Sequence, residues 1–175
     1  MVPLSEYATV SEEATMQEAV EALERAQRAF DPTRHKHRAI VVLGKDNNVV
    51  GKIGQLDVLR ALEPRYENMG DPDHLSRAGF SQEFLKNMLD KFNLWQEPLT
   101  DICRKAAKIG VKKIMYTPSG GEYVDENATL NEAIHQMVMG HHQSLLVTRG
   151  DEIAGVLRLT DLFTEVCERI RSCEL

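Results

Sequence analysis

The chain has 175 residues, 42% of them apolar, and 21 Lys and Arg against 27 Asp and Glu give it a net charge of −6. That length suffices for one domain or two small ones with a shared core, and the acidity argues against non-specific nucleic-acid or anionic-membrane binding as the main task. No run approaches the roughly 18 apolar residues of a membrane span, the N-terminal MVPLSEYATV lacks the pattern of a signal peptide, and Cys103, Cys167 and Cys173, an odd count without a framework, fit a reducing cytoplasm.

In chain order, the first clear element is a helix opening at Thr15. Thr15 and Glu18 form a T-x-x-E capping box, in which the Thr oxygen accepts from the third helical N–H and the Glu reaches back to the cap. Met16, Ala19, Val20 and Leu23 follow at helical spacing and read as a core row. Two short apolar runs come next, AIVVL and VVGKI, separated by GKDNN, which signals a hairpin. An apolar helix over Leu56–Leu62 closes this unit.

The region 65–110 opens with turn-rich ENMGDPDHLSRAG. A helix from Ser81 then carries Phe84, Leu85, Met88, Leu89 and Phe92 on one face, and a second runs from Thr100 to about Ile109 with Gly110 as its C-cap. Such amphipathy predicts packing on the rest of the chain or on a partner.

After it, the first unit is written again. VDENATLNEAIHQM (124–137) lies over VSEEATMQEAVEAL (10–23), HQSLLV (142–147) over HRAIVV (37–42), and IAGVLRLTDLF over VVGKIGQLDVL. Thr129 and Glu132 repeat the capping box, Leu130, Ala133, Ile134 and Met137 repeat the core row, and a helix over Leu159–Val166 closes the copy. Gly51 aligns with Gly155 and Asp57 with Asp161, once a nine-residue insertion around RAFDPTRHK in the first copy is allowed for. Each unit is strand, helix, strand, strand, helix, and one alone leaves an apolar sheet face open, so the two are expected to pack together.

VKKIM (111–115), ENATLNEAIHQM, HQSLLV and IAGVLRLTDLF resemble a cystathionine-β-synthase (CBS) domain, and the first copy resembles a second, more diverged one. The chain as a whole is similar to a stand-alone CBS pair, or Bateman module. The resemblance implies an α+β fold of two β-α-β-β-α repeats packed with pseudo-twofold symmetry, at 3–63 and 111–171, plus a helical connecting segment at 64–110. It also implies a non-catalytic cytoplasmic regulator that binds an adenosine-containing ligand between its repeats, signals by conformational change, forms a homodimer and acts on a regulated protein partner. No cofactor beyond that regulatory ligand, no nucleic acid and no membrane insertion are implied. AMP or ATP leads, with S-adenosyl methionine or a cyclic dinucleotide behind.

In the family pattern G-h-h-[S/T]-x-x-D the acid bonds the ribose hydroxyls, a role that falls here to Asp57 and Asp161. A carboxylate is acceptor-only and can take both hydroxyls of a vicinal diol, and the helix starting before it offers N–H groups to phosphate. The same acids would also favour a first helical turn by electrostatics alone. The pattern's hydroxyl is replaced by Gly54 in one copy and Arg158 in the other. Arg158 reads either as a phosphate fork or as a surface Arg pairing with a nearby acid. Thr160 restores a hydroxyl beside Asp161, whereas its counterpart Leu56 does not, so the Asp161 side is expected to be the better equipped. His37 and Arg38, with His142 as the counterpart of His37, are candidates for the phosphates or plain surface residues. Val10, Tyr123 and Val124 are candidates for an adenine slot, although β-strand core predicts the same valines.

Three function classes follow: an adenine-nucleotide sensor, a dimerisation or docking module with degenerate pockets, and an enzyme. His35, His37, His141 and His142 invite a metal reading, but no further ligand is placed by the sequence. Cys103, a candidate nucleophile, has Arg104 and Lys105 next to it, and no GxSxG, P-loop or HExxH accompanies it.

Overall fold

In the computed structural model, residues 1–69 and 79–172 are described and form seven α-helices and two small sheets. Most of the turn-rich opening of the connecting segment, and Cys173, fall outside them. The elements are β1 (Val2–Pro3), β2 (Thr9–Ser11), α1 (Met16–Ala29), β3 (Ala39–Leu43), β4 (Val49–Gly54), α2 (Gln55–Ala61), α3 (Gln82–Lys91), α4 (Leu99–Ala106), α5 (Val111–Ile114), β5 (Tyr123–Asp125), α6 (Leu130–Gly140), β6 (Ser144–Arg149), β7 (Glu152–Arg158) and α7 (Leu159–Ser172).

Local chemistry places the elements. Both capping boxes form: Thr15 Oγ1 accepts from Glu18 N–H and Thr129 Oγ1 from Glu132 N–H, each at 3.3 Å, and each Glu accepts back from its Thr N–H at 2.7 Å. The two hairpins turn on left-handed residues, Asn47 at φ 58° and Gly150 at φ 59°. In each copy the first strand pairs in parallel with the second, Val10 opposite Val42 and Val124 opposite Val147, and the second pairs antiparallel with the third. A register shift follows Val42 in one copy and Val147 in the other, at equivalent positions.

The copies are joined by exchanged strands. β1, ahead of the first copy, pairs antiparallel with β7 of the second, Val2 opposite Val156. Tyr116, ahead of β5, bridges antiparallel to Lys52 on β4 of the first copy. Val2 and Tyr116 occupy equivalent positions of the repeat, as do Val156 and Lys52. Between the sheets lies a shared layer of Val2, Tyr7, Val41, Leu146 and Val156. On the other face of each sheet lies a private core, built on Ile40, Val42 and Ala19 in one copy and on Leu145, Val147 and Ala133 in the other. β3 and β6 are therefore buried on both faces, which is why AIVVL and SLLVT read as continuous apolar runs.

Three expectations are corrected. Val20 is 37% exposed, and Ala22 is buried alongside Met16 and Ala19. Gly110 is not a left-handed C-cap: at φ −68° and ψ 139° it precedes α5, where the chain docks on α1 through Val111 N–H to Ala14 O (2.7 Å) and Met16 N–H to Ile109 O (2.8 Å). The apolar face of α3 packs only in part within the described residues: Phe84 stacks on Phe80 at 5.1 Å, but Phe84, Leu85 and Leu89 remain 46, 48 and 41% exposed.

Candidate functional site

A cleft of about 850 Å³ opens where the two copies meet. Its floor and walls come from the β4–α2 junction, the helix-to-strand linkers ahead of β3 and β6, the β7–α7 junction, and Tyr7, Lys52, Tyr116 and Glu122 from the contact between copies. The volume is that of a nucleotide-sized site.

At the β4–α2 junction, Gly54 is extended at φ −89° and ψ 170° before the helix begins. The third helical residue is then Asp57, whose Oδ2 accepts the Gly54 N–H at 2.7 Å. Asp57 Oδ1 is 3.9 Å from Arg60 Nη1, and both side chains line the cleft. A Cβ at position 54 would lie 3.3 Å from Asp57 Oδ2, so glycine keeps this carboxylate uncovered.

Deeper in the cleft, Lys52 and Glu122 form an ion pair with side-chain exposures of 17 and 3%. Burial pushes the Glu122 carboxyl up, but hydrogen bonds from Lys52 and Tyr116 and the Lys52 charge outweigh it, leaving the group below its usual range. Lys52 Nζ also lies 5.6 Å from the Tyr116 ring centroid. Burial drives the Tyr7 phenol up to about 12, against the opposing charge of Arg158, so Tyr7 is a neutral hydroxyl at physiological pH. Of the four lining cations, Lys52 is matched by Glu122, Arg158 by Asp161 and Arg60 by Asp57, while Arg38 makes no ion pair among the described residues.

The structure brings six of the sequence candidates to the cleft: Gly54, Asp57, Arg38, His142, Arg158 and Thr160. Five lie elsewhere. Val10 packs on the first private core, Val124 is 7% exposed within the second, and Tyr123 packs on the shared layer, so all three serve the sheets. His37 is fully buried between Tyr7 and Phe30, with ring centroids 4.5 and 4.2 Å away, and neither ring nitrogen has a hydrogen-bond partner. Burial, then the charge of Arg158, pushes its pKa below the ordinary 6.5.

Asp161 is the fifth. Its Oδ2 accepts from Arg158 Nε at 2.8 Å and its Oδ1 from Arg158 Nη2. Burial alone would raise this carboxyl, but the Arg158 bonds and charge hold it low. Asp161 is thus engaged by Arg158 within its own copy, whereas Asp57, on the side expected to be less well equipped, lines the cleft. Arg158 does pair with a nearby acid, three residues after it on the chain, though it is 5% exposed rather than a surface group.

Sequence reasoning missed Tyr7, Lys52, Tyr116 and Glu122. Lys52 and Glu122 are 70 residues apart and carry no motif. The histidines do not converge, and no group of three or more His, Cys, Asp or Glu that could hold a metal occurs among the described residues. No helix among them is long and apolar enough to cross a membrane.

The family profile of the CBS domain matches residues 2–64 and 111–168, and the chain belongs to the CBS domain family. A search of curated proteins finds no match. Among solved structures, a CBS-domain protein of Bacillus anthracis aligns at TM-score 0.62 and 11% identity, covering 97% of this chain and 90% of that one. CBSX2, solved in complex with AMP, aligns at TM-score 0.57 and 16% identity over 98 and 94% of the two chains. A CBS-domain protein of Kribbella flavida aligns at 0.56 and 21% over 96 and 94%. At these identities the likeness is one of fold.

Proposed function

We infer that the chain is a non-catalytic regulatory module whose cleft takes an adenosine-containing ligand, AMP or ATP first. The observation that carries this reading is the pairing of an uncovered carboxylate, Asp57, with an uncompensated cation, Arg38, on one cleft of about 850 Å³. Asp57 would accept from both ribose hydroxyls, Arg38 would meet the phosphate, and Tyr116, Leu56 and Leu159, exposed by 45, 62 and 40% on the cleft wall, would pack on the adenine. AMP in the complex of CBSX2 supports the ligand class.

Because the cleft is built from both copies, ligand would favour one arrangement of them in proportion to its differential affinity. A homodimer would form over the exposed row of Leu59, Phe163 and Ile170 on α2 and α7, which are 56, 67 and 67% exposed. A regulated protein partner would read the change.

The test is a thermal-shift panel of adenosine compounds, with mass spectrometry of any small molecule that copurifies. A ligand at a hundred times its Kd adds about 2.7 kcal/mol, and Asp57→Asn should remove that gain. The exposed apolar face of α3 favours a second reading, a protein-docking module with degenerate pockets. A panel with no shift from any adenosine compound would select it.

A further inference from the structure

The two copies differ most in the segment joining their first helix to their hairpin. In the second copy it is three residues, His141 to Gln143, between α6 and β6; in the first it runs from Phe30 to Arg38, between α1 and β3. The short linker borders the cleft at Asp57, with His141, His142 and Gln143 on the wall. The long linker lies against Arg158 and Thr164, on either side of Asp161, the equivalent acid of the other copy. Arg158 grips both Asp161 oxygens and donates through Nη1 to the His35 carbonyl. The Phe30 ring lies 5.5 Å from the same guanidinium, and His35 Nε2 is 3.4 Å from the Thr164 hydroxyl.

The linker is itself tied down. Arg34 reaches Glu6 at 3.7 Å and stacks on Phe30 at 4.8 Å. Gln27 donates to the His37 carbonyl at 2.6 Å, and the His37 ring is buried. A guanidinium presents two parallel N–H donors, as a vicinal diol presents two O–H donors, so Arg158 gives Asp161 the bonds that a sugar would. Its equivalent at the other acid is Gly54, which gives Asp57 its backbone N–H at 2.7 Å but no side-chain donor.

We propose that the 30–37 part of the linker, with Arg158, is a built-in occupant of the second, symmetry-related site, so that each chain takes one ligand, at Asp57, and Asp161 serves the chain instead. The stoichiometry rests on the sensor reading, whereas the occupancy of the Asp161 site does not.

Calorimetric titration with AMP tests it on the full chain, as wild type, Asp57→Asn and Asp161→Asn. The expected result is one AMP per wild-type chain, at least a tenfold loss of affinity in Asp57→Asn, and affinity within twofold of wild type in Asp161→Asn. The last variant should also melt about 4–8 °C lower, because Arg158 loses a buried partner. Two AMP per wild-type chain, or binding lost through Asp161→Asn, overturns the proposal. If wild type takes no AMP, the sensor reading fails and the unliganded protein decides the occupant. A lower melting point and faster amide exchange at residues 34–37 in Asp161→Asn then support it; unchanged melting and exchange reject it.

Discussion

The exchanged strands rest on two glycines, and substituting each with alanine should have unequal consequences. A Cβ on Gly155 would lie 2.4 Å from the Val2 carbonyl oxygen and 3.2 Å from Pro3 Cα, both backbone atoms of β1. A Cβ on Gly51 would lie 2.8 Å from Met115 Sδ, the far end of a flexible side chain, and 3.1 Å from the Tyr116 carbonyl oxygen. Met115 can swing aside, so Gly51→Ala should cost about 1 kcal/mol. β1 cannot, because its pairing at Val2–Val156 fixes it and Val2 is fully buried. Detaching it would expose a valine at about 1.5–3 kcal/mol and give up ladder bonds at about 1 kcal/mol each. Partial displacement costs less, so about 2–4 kcal/mol is expected for Gly155→Ala. In a chain of this size that is a fall of roughly 5–15 °C in Tm, against a few degrees for Gly51→Ala. Thermal unfolding of both variants measures it, with amide exchange at Val2 reporting whether β1 has let go. A Gly155→Ala protein as stable as wild type, or less affected than Gly51→Ala, would refute the close-approach argument.

Lys52→Met should cost about 2–3 kcal/mol by stranding Glu122 at 3% side-chain exposure, and adding Glu122→Gln should recover at least half; chemical denaturation checks both, and an unaffected single variant would remove the pair from the account. His37, neutral and buried, has a folded pKa below its unfolded value of 6.5, so the unfolded state binds more protons in that window. Its contribution is intact above pH 6.5 and is lost as pH falls through the window towards the folded value. The denaturant midpoint should therefore drop on acidification below 6.5, less so in His37→Phe, and equal slopes in the two proteins would rule this out. The proposed homodimer predicts that wild type sediments as a dimer and Phe163→Glu as a monomer; a monomeric wild type would reject the dimer, and a dimeric variant would reject this contact.

What the sequence made legible was local or repeated. Capping boxes act over three residues, hairpin turns over two or three, and core rows over a helical period, so each copy could be read twice and checked against itself. The shared layer was less visible, because an apolar run such as AIVVL shows that a strand is buried on both faces without showing what covers the second. The strand exchange was hidden for the same reason: Val2 and Tyr116 occupy equivalent positions but share no residue type. Arg158 was visible as a departure from the family pattern. Its spacing of three from Asp161 was the available signal for a local pair, the alternative to a phosphate role. Nothing in DPTRHKH announced that Phe30 and His37 would fold inward, since neither belongs to a periodic element.

The same repeat thus produces two unequal halves, and the inequality has a traceable physical origin. Duplication places a carboxylate at the start of each closing helix, facing the linker of the opposite copy. What then happens at each acid depends on two independent variables, the length of that linker and the residue three positions ahead of the acid. A three-residue linker with Gly54 leaves Asp57 lining the cleft; a nine-residue linker bonds, through the His35 carbonyl, to the Arg158 that grips Asp161. Each change needs the other. Arg158 without the linker would hold a guanidinium at a cleft mouth with one nitrogen unsatisfied, and the linker without Arg158 would bring the His35 carbonyl beside a carboxylate, acceptor against acceptor. The Arg158 fork, bonded on one side to Asp161 and on the other to His35, is what makes the asymmetric arrangement electrostatically complete.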